Sequence, residues 1–238
     1  MYYVIIFMSF NSFAAKIPSK WRFEYHAGKT EARYTEKQPS ILFTAEDITQ
    51  KSAYQEFIFQ YFIAPPWLDI SLGTQVTGYQ VDEPSQIAKQ FTYLTQYANL
   101  GILLPFWDYW NVKLNYEYFY TTMIVGDDAF GFRNLTGQQF YPEIEWLPFG
   151  SDMFLQISPY FKFPLWSNSS NRKETTAGLK IRVPMGALHE RSFPSYAYQK
   201  AIIIKAFYTN MKLEFEREGF ITSEMEIQQY GITLGFNF

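Results

Sequence analysis

The final ten residues, Gln229 to Phe238, constrain the fold more than any other segment. Tyr230, Ile232, Leu234, Phe236 and Phe238 alternate with Gly231, Thr233, Gly235 and Asn237. A period of two is the mark of a strand with unlike faces. One face here is bulky and apolar and the other is small or polar. Such a strand needs an apolar medium along one side and polar neighbours along the other.

The same rhythm recurs along the chain. It predicts strands over Trp21–Tyr34, Ala53–Ala64, Trp67–Tyr79, Gln90–Leu104, Asn111–Val125, Gln139–Leu147, Asp152–Phe163, Glu174–Val183, Gln199–Glu216 and Ser223–Phe238. Turn clusters rich in Pro, Gly, Asn and Ser separate them. Thr35–Ser52, Gly126–Gln138, Trp166–Arg172 and Pro184–Tyr198 read as connections. The expected fold is all-β, a transmembrane antiparallel up-and-down β-barrel of about ten strands. Eight or twelve follow if Ile41–Thr44 or the Pro184 connection is read differently. Strand nine sets a problem of phase: its lower half puts either Lys205 or Ala206 outward, and a bulge near Thr209–Asn210 would resolve it.

The longest apolar runs, Leu100–Leu104 and Ala201–Ile204, are far short of the roughly 20 residues of a membrane-spanning helix. A membrane protein with this sequence therefore has to be a closed barrel, because lipid cannot satisfy open backbone groups. Aromatic residues make up 21% of the chain, yet the mean hydropathy is only −0.20. Aromatic girdles outside and a polar interior would produce that combination. The chain has no Cys, which excludes a disulfide framework and thiolate chemistry. A net charge of −3, from 20 basic and 23 acidic residues, argues against nucleic acid as a partner.

Near the N-terminus, Tyr2–Phe10 is a short apolar run followed by Asn11-Ser12-Phe13-Ala14-Ala15 and then charged sequence. This reads as a secretory signal over residues 1–15, with the barrel domain over 16–238.

The terminal segment, with Gln229, Gly231, Leu234, Phe236 and the final Phe238, resembles the C-terminal assembly signal of bacterial outer-membrane β-barrels. The resemblance implies export, insertion by the barrel-assembly machinery, and an integral place in the outer membrane among its lipids and lipopolysaccharide. If both termini face the periplasm, the short connections at Pro65, Pro105 and Pro148 and the longer Pro184–Tyr198 are periplasmic, and the odd-numbered connections are external.

In this register the inward face is polar on every strand that can be phased. Arg22, Glu24, His26, Asp69, Lys113, Glu117, Glu143, Glu145, Lys162, Lys180 and Arg182 form the candidate lumen set. They are joined by Ser71, Gln75, Thr77, Asn115, Gln156, Ser158, Tyr160 and Thr176. Both signs occur, which fits either a packed interior with paired charges or a constriction that selects small solutes. The expected function is a narrow small-solute channel or a structural envelope protein. Two alternatives are an outer-membrane hydrolase acting on lipid or peptide, and an adhesin or receptor acting through the loops Thr35–Ser52 and Gly126–Gln138. No catalytic residue, metal ligand or cofactor is assigned. His26 and His189 are the only histidines. The Asp–His rim of omptin-type proteases and the His-x-Ser-Asn element of barrel deacylases are both absent. Asp127 and Asp128 read as a solvated loop.

Overall fold

The structure, a computed structural model, describes residues 20–37, 47–64, 67–80, 90–106, 109–126, 131–148, 155–167, 172–184, 200–217 and 221–238. The strands are β1 (Trp21–Lys37), β2 (Asp47–Ala64), β3 (Leu68–Gln80), β4 (Gln90–Phe106), β5 (Trp110–Gly126), β6 (Gly131–Trp146), β7 (Gln156–Lys162), β8 (Trp166–Ser167), β9 (Arg172–Pro184), β10 (Ala201–Arg217) and β11 (Ile221–Asn237). Segments β7 and β8 both pair with β6 and are two pieces of one stave. The result is a closed barrel of ten antiparallel staves.

Closure is made by the two ends of the chain. β1 pairs with β11 from Arg22↔Asn237 to Lys37↔Thr222 without a register shift. Trp21 N–H donates to the Phe238 carbonyl at 3.2 Å, and Phe238 N–H donates back at 3.0 Å. The terminal strand that opened the sequence reading therefore seals the cylinder.

Exposure divides the strands as the alternation requires, with the sense of a soluble protein inverted. Ile232 is 63% exposed while its neighbour Thr233 is fully buried. Leu72 is 62% exposed between Ser71 and Gly73. Trp21, Phe57, Phe59, Ile70, Tyr118, Trp146, Phe161 and Phe236 also point outward into the surroundings. Inside lie Glu24, Asp69, Asn99, Asn115, Glu117, Ser158 and Arg182, all buried.

Several boundaries differ from the sequence reading. β10 keeps an uninterrupted register with both β9 and β11, so there is no bulge at Thr209–Asn210. Lys205 faces the lumen and Ala206 faces out. Gly131–Gln138, expected as loop, belongs to β6. Trp166-Ser167 form β8 and Arg172 opens β9, so most of the supposed Trp166–Arg172 loop is wall. Thr35–Lys37 and Asp47–Ser52 extend β1 and β2. The expected signal segment, Asp127-Asp128, and residues 185–199 of the Pro184 connection lie outside the described residues.

Irregularities lie elsewhere among the described residues: the β2–β3 register shifts between Phe62 and Ala64, and a second break interrupts the stave made of β7 and β8. Between the pairs Glu143↔Lys162 and Phe140↔Trp166, the three residues Phe163–Leu165 face only Tyr141 and Pro142. Pro142 and Pro164 both lack a backbone donor, so the ladder cannot run straight through. A bulge absorbs the mismatch, and Leu165 N–H donates to the Phe140 carbonyl at 3.0 Å to resume pairing.

Inside the wall, large rings lie over glycines of adjacent strands. Tyr97 covers Gly73, and a methyl group at Gly178 would come within 2.5 Å of the Tyr160 ring. Here glycine provides room for the neighbour rather than a turn. Gly73→Ala is expected to displace Tyr97 and destabilise the barrel by about 1–3 kcal/mol. Combined with Tyr97→Leu, the two effects should sum to clearly less than their separate costs. Urea unfolding of the refolded barrel in detergent reads both.

Candidate functional site

The lumen is the candidate site, and it is built in layers along the strands. Near the end that carries the termini, Phe62, Leu147, Ala201 and Ile203 are buried. Near the other end, Ala32, Ile227 and Met211 sit side by side on β1, β11 and β10. Leu213, Phe119 and Leu135 are buried there as well. Polar and charged side chains fill the zone between these apolar layers.

Ion pairs brace that zone, and several of them skip a strand. Lys113 on β5 reaches Asp69 on β3 at 2.9 Å, passing over Gly101 of β4. A methyl group at Gly101 would sit 2.8 Å from both the Asp69 Oδ1 and the Lys113 Nζ. Lys180 on β9 reaches Glu145 on β6 at 2.7 Å over β7, where Ser158 donates its hydroxyl to the same carboxylate at 2.5 Å. Tyr97 on β4 donates to Glu56 on β2 at 2.6 Å over Gly73 of β3. Lys205 on β10 reaches Glu24 on β1 at 2.7 Å over β11. In each case the intervening strand presents a small residue, which lets the longer side chains meet.

Two networks result. In the first, Glu24 accepts from Lys205 and also faces Arg22 at 4.0 Å and His26 at 3.3 Å. The other ring nitrogen of His26 lies 2.9 Å from Glu56. Each nitrogen of the imidazole thus has a carboxylate partner, and among the described residues no hydroxyl hydrogen-bonds to it. In the second, Glu174 holds Lys162 at 3.1 Å and Arg172 at 2.6 Å. Arg172 also reaches across the lumen to Glu117 at 3.6 Å and lies over the Phe119 ring at 4.5 Å. Gln139 and Tyr141 donate to the Glu117 carboxylate.

The networks surround a cavity of about 160 Å³. Of the residues singled out from sequence, Arg22, Glu24, His26, Lys113, Glu117, Glu143, Lys162 and Lys180 line it. Asp69, Glu145 and Arg182 are buried behind its lining. Glu143 faces Lys113 and Lys162 in register, but both lysines turn to other carboxylates. In the terminal segment, Gln229 lines the cavity and Gly231 lies beneath Tyr54. Leu234, Phe236 and Phe238 face outward. Among the described residues no three His, Asp or Glu side chains are grouped to hold a metal ion.

Sequence reasoning missed Glu56, Tyr97, Tyr141, Arg172, Glu174 and Lys205, all of which line the cavity. The signal for Glu56 was present, since it lies between the outward Gln55 and Phe57.

The chain is a closed antiparallel β-barrel. No family model matches its sequence, and no curated protein matches it either. Among solved structures it is similar to the outer membrane protease OmpT from Escherichia coli, with a TM-score of 0.45 and 8% identity over 93% of this chain and 97% of that one. It is also similar to the outer membrane protein OprG from Pseudomonas aeruginosa, at 0.39 and 8% over 93% and 98%. Neisserial surface protein A follows at 0.38 and 8% over 91% and 97%. At these scores the likenesses carry no argument, and the barrel stands on its own strand pairings.

The strand-skipping bridges make a specific demand. Lys113→Met leaves Asp69, only 2% exposed, without its cation, and should cost about 3–5 kcal/mol of stability. Lys113→Met with Asp69→Leu should recover most of that loss. Gly101→Val should mimic the single variant by blocking the passage. Equilibrium unfolding in detergent or vesicles compares all three.

Proposed function

We propose that the protein is an integral outer-membrane β-barrel of a bacterial envelope whose lumen is braced shut, giving it a structural role in the membrane. The observation that carries this reading is the inverted exposure pattern around ion-paired interior charges. A charge facing lipid at mid-depth costs about 2–4 kcal/mol. Among the described residues, the outward strand positions from the Trp21–Phe238 end up to mid-barrel carry none, the first outward charges being Lys29 and Glu31 at the centre of β1, while seven basic side chains (Arg22, Lys113, Lys162, Arg172, Lys180, Arg182, Lys205) sit inside. The apolar layers at both ends and the cross-lumen Arg172–Glu117 contact favour a filled interior over a bore. On this reading β11 is the segment handled by the assembly machinery, residues 1–15 direct export, and outer-membrane lipid is the principal partner.

One observation favours a second reading, a narrow passage for small solutes. The cavity of about 160 Å³ is polar and surrounded by opposed charges, which is the local ground plan of a selective constriction.

Planar-bilayer recording separates the two. The braced barrel should insert without defined conductance steps in symmetric salt. Reproducible unitary steps that change size in Arg172→Gln would establish the passage and contradict a closed lumen.

A further inference from the structure

One chain of polar contacts runs round more than half of the lumen. Lys205 on β10 meets Glu24 on β1 at 2.7 Å, and Glu24 meets His26 at 3.3 Å. His26 meets Glu56 on β2 at 2.9 Å, and Glu56 accepts from Tyr97 on β4 at 2.6 Å. β10, β11, β1, β2, β3 and β4 are consecutive around the cylinder, so this arc ties six of the ten staves. His26 is its middle member. Among the described residues no other side chain joins Glu24 to Glu56. Without the imidazole the arc falls into two pieces, Lys205–Glu24 and Glu56–Tyr97.

The contacts fix the state of the ring. Nε2 lies against Glu24 and Nδ1 against Glu56. An ionised carboxylate can only accept, so both nitrogens have to donate, and that requires the imidazolium. The other charged groups around the ring are Arg22 on β1, 4.0 Å from Glu24, and Lys205 on β10. β11 places the uncharged Thr233 opposite His26 in register, and β10 adds the Phe207 ring at 5.6 Å. Glu24 keeps Lys205 whatever the ring does. Glu56 has no other cation within 4.0 Å among the described residues. A neutral ring carries one N–H, so one of the two carboxylates would then face a lone pair and the arc would be cut. Among the members of the arc, the imidazole is the one whose ordinary titration lies nearest neutral pH.

We propose that His26 is a proton-operated clamp on the lumen: as the imidazolium it joins the two halves of the arc, and release of one proton to solvent in the cavity separates them and loosens the wall. This rests on the braced-lumen reading above and names how that brace is regulated. The ring lines the cavity with 12% of its side chain exposed, which gives the proton a way out. The tie that breaks lies between Glu24, which retains a lysine, and Glu56, which retains only the Tyr97 hydroxyl. The stabilisation from the clamp is therefore present while both nitrogens are protonated and is lost as the pH rises through the titration of the ring.

The test uses the full barrel refolded in detergent with nitrogen-15-labelled histidine. His189→Gln leaves His26 as the one imidazole. At about pH 7.5, one unit above the ordinary histidine value, nitrogen NMR should find a proton on both ring nitrogens; a single protonated nitrogen overturns the proposal. As the pH is raised until one proton leaves, the urea unfolding constant should rise by roughly tenfold in step with the NMR signal. His26→Lys, which keeps a cation at that position, should show no such step. His26→Gln should be less stable than the parent at the starting pH and equally insensitive to the rise. Three results would each overturn the clamp: unchanged stability while the proton leaves, the same step in His26→Lys, or a ring that keeps both protons up to the pH at which the His26→Lys barrel itself unfolds. Bilayer recording at the starting pH tests the closed lumen separately. A silent barrel with a singly protonated ring refutes the clamp alone, whereas conductance steps with a doubly protonated ring refute the closed lumen on which the clamp rests.

Discussion

Every backbone edge in this fold has to be paired, because its outer face is apolar and offers no substitute for a missing hydrogen-bond partner. An open sheet with Ile232, Leu72 and Phe57 on one side would present two free edges beside that oily surface. Pairing β1 with β11 removes both edges at once. All the rest follows from that closure. Once the sheet is a cylinder, alternate residues are committed to an enclosed interior, and their chemistry has to be satisfied by other interior residues.

Ion pairs between adjacent strands alone would leave a narrow cylinder crowded at the wall. The observed solution uses bridges that step over a strand. Lys113–Asp69 passes Gly101, Lys180–Glu145 passes Ser158, and Tyr97–Glu56 passes Gly73. Small residues on the intervening strand are therefore as much a part of the charge network as the charges. The same geometry resists expansion of the barrel, since widening it would stretch several buried pairs together. Such pairs add little net stability over apolar packing. Their effect is to fix one arrangement of the strands.

How much of this was legible in the sequence differs between the two faces. The outward face could be read residue by residue, because bulky side chains such as Phe57, Phe59, Leu234 and Phe236 alternate plainly with smaller ones. By the same period, residues such as Glu24 on β1, Glu117 on β5 and Lys162 on β7 were read as inward, and in the structure they line the cavity. Pairing partners were not legible, since His26 meets Glu56 only through the β1–β2 register. Lys205 was ambiguous for a physical reason. The lumen itself turns apolar at Ile203, so Ile202-Ile203-Ile204 lost the alternation that marks the phase. Arg172 was obscured by the Ser- and Asn-rich stretch before it, which was read as connection, whereas Glu174 opened the expected strand in phase with Thr176 and Lys180 and was still left out of the lumen set.

The central claim is the sorting of side chains between an oily exterior and an enclosed wet interior within a bilayer. Since the chain has no Cys, single spin labels can be placed without background at Ile70, Ser71 and Leu72 on β3 in the vesicle-inserted barrel. Collision rates with oxygen, which concentrates in the hydrocarbon, test the sorting directly. They should be high at 70 and 72 and low at 71, where the side chain faces the cavity. Equal rates at all three positions, or a maximum at 71, would contradict the account.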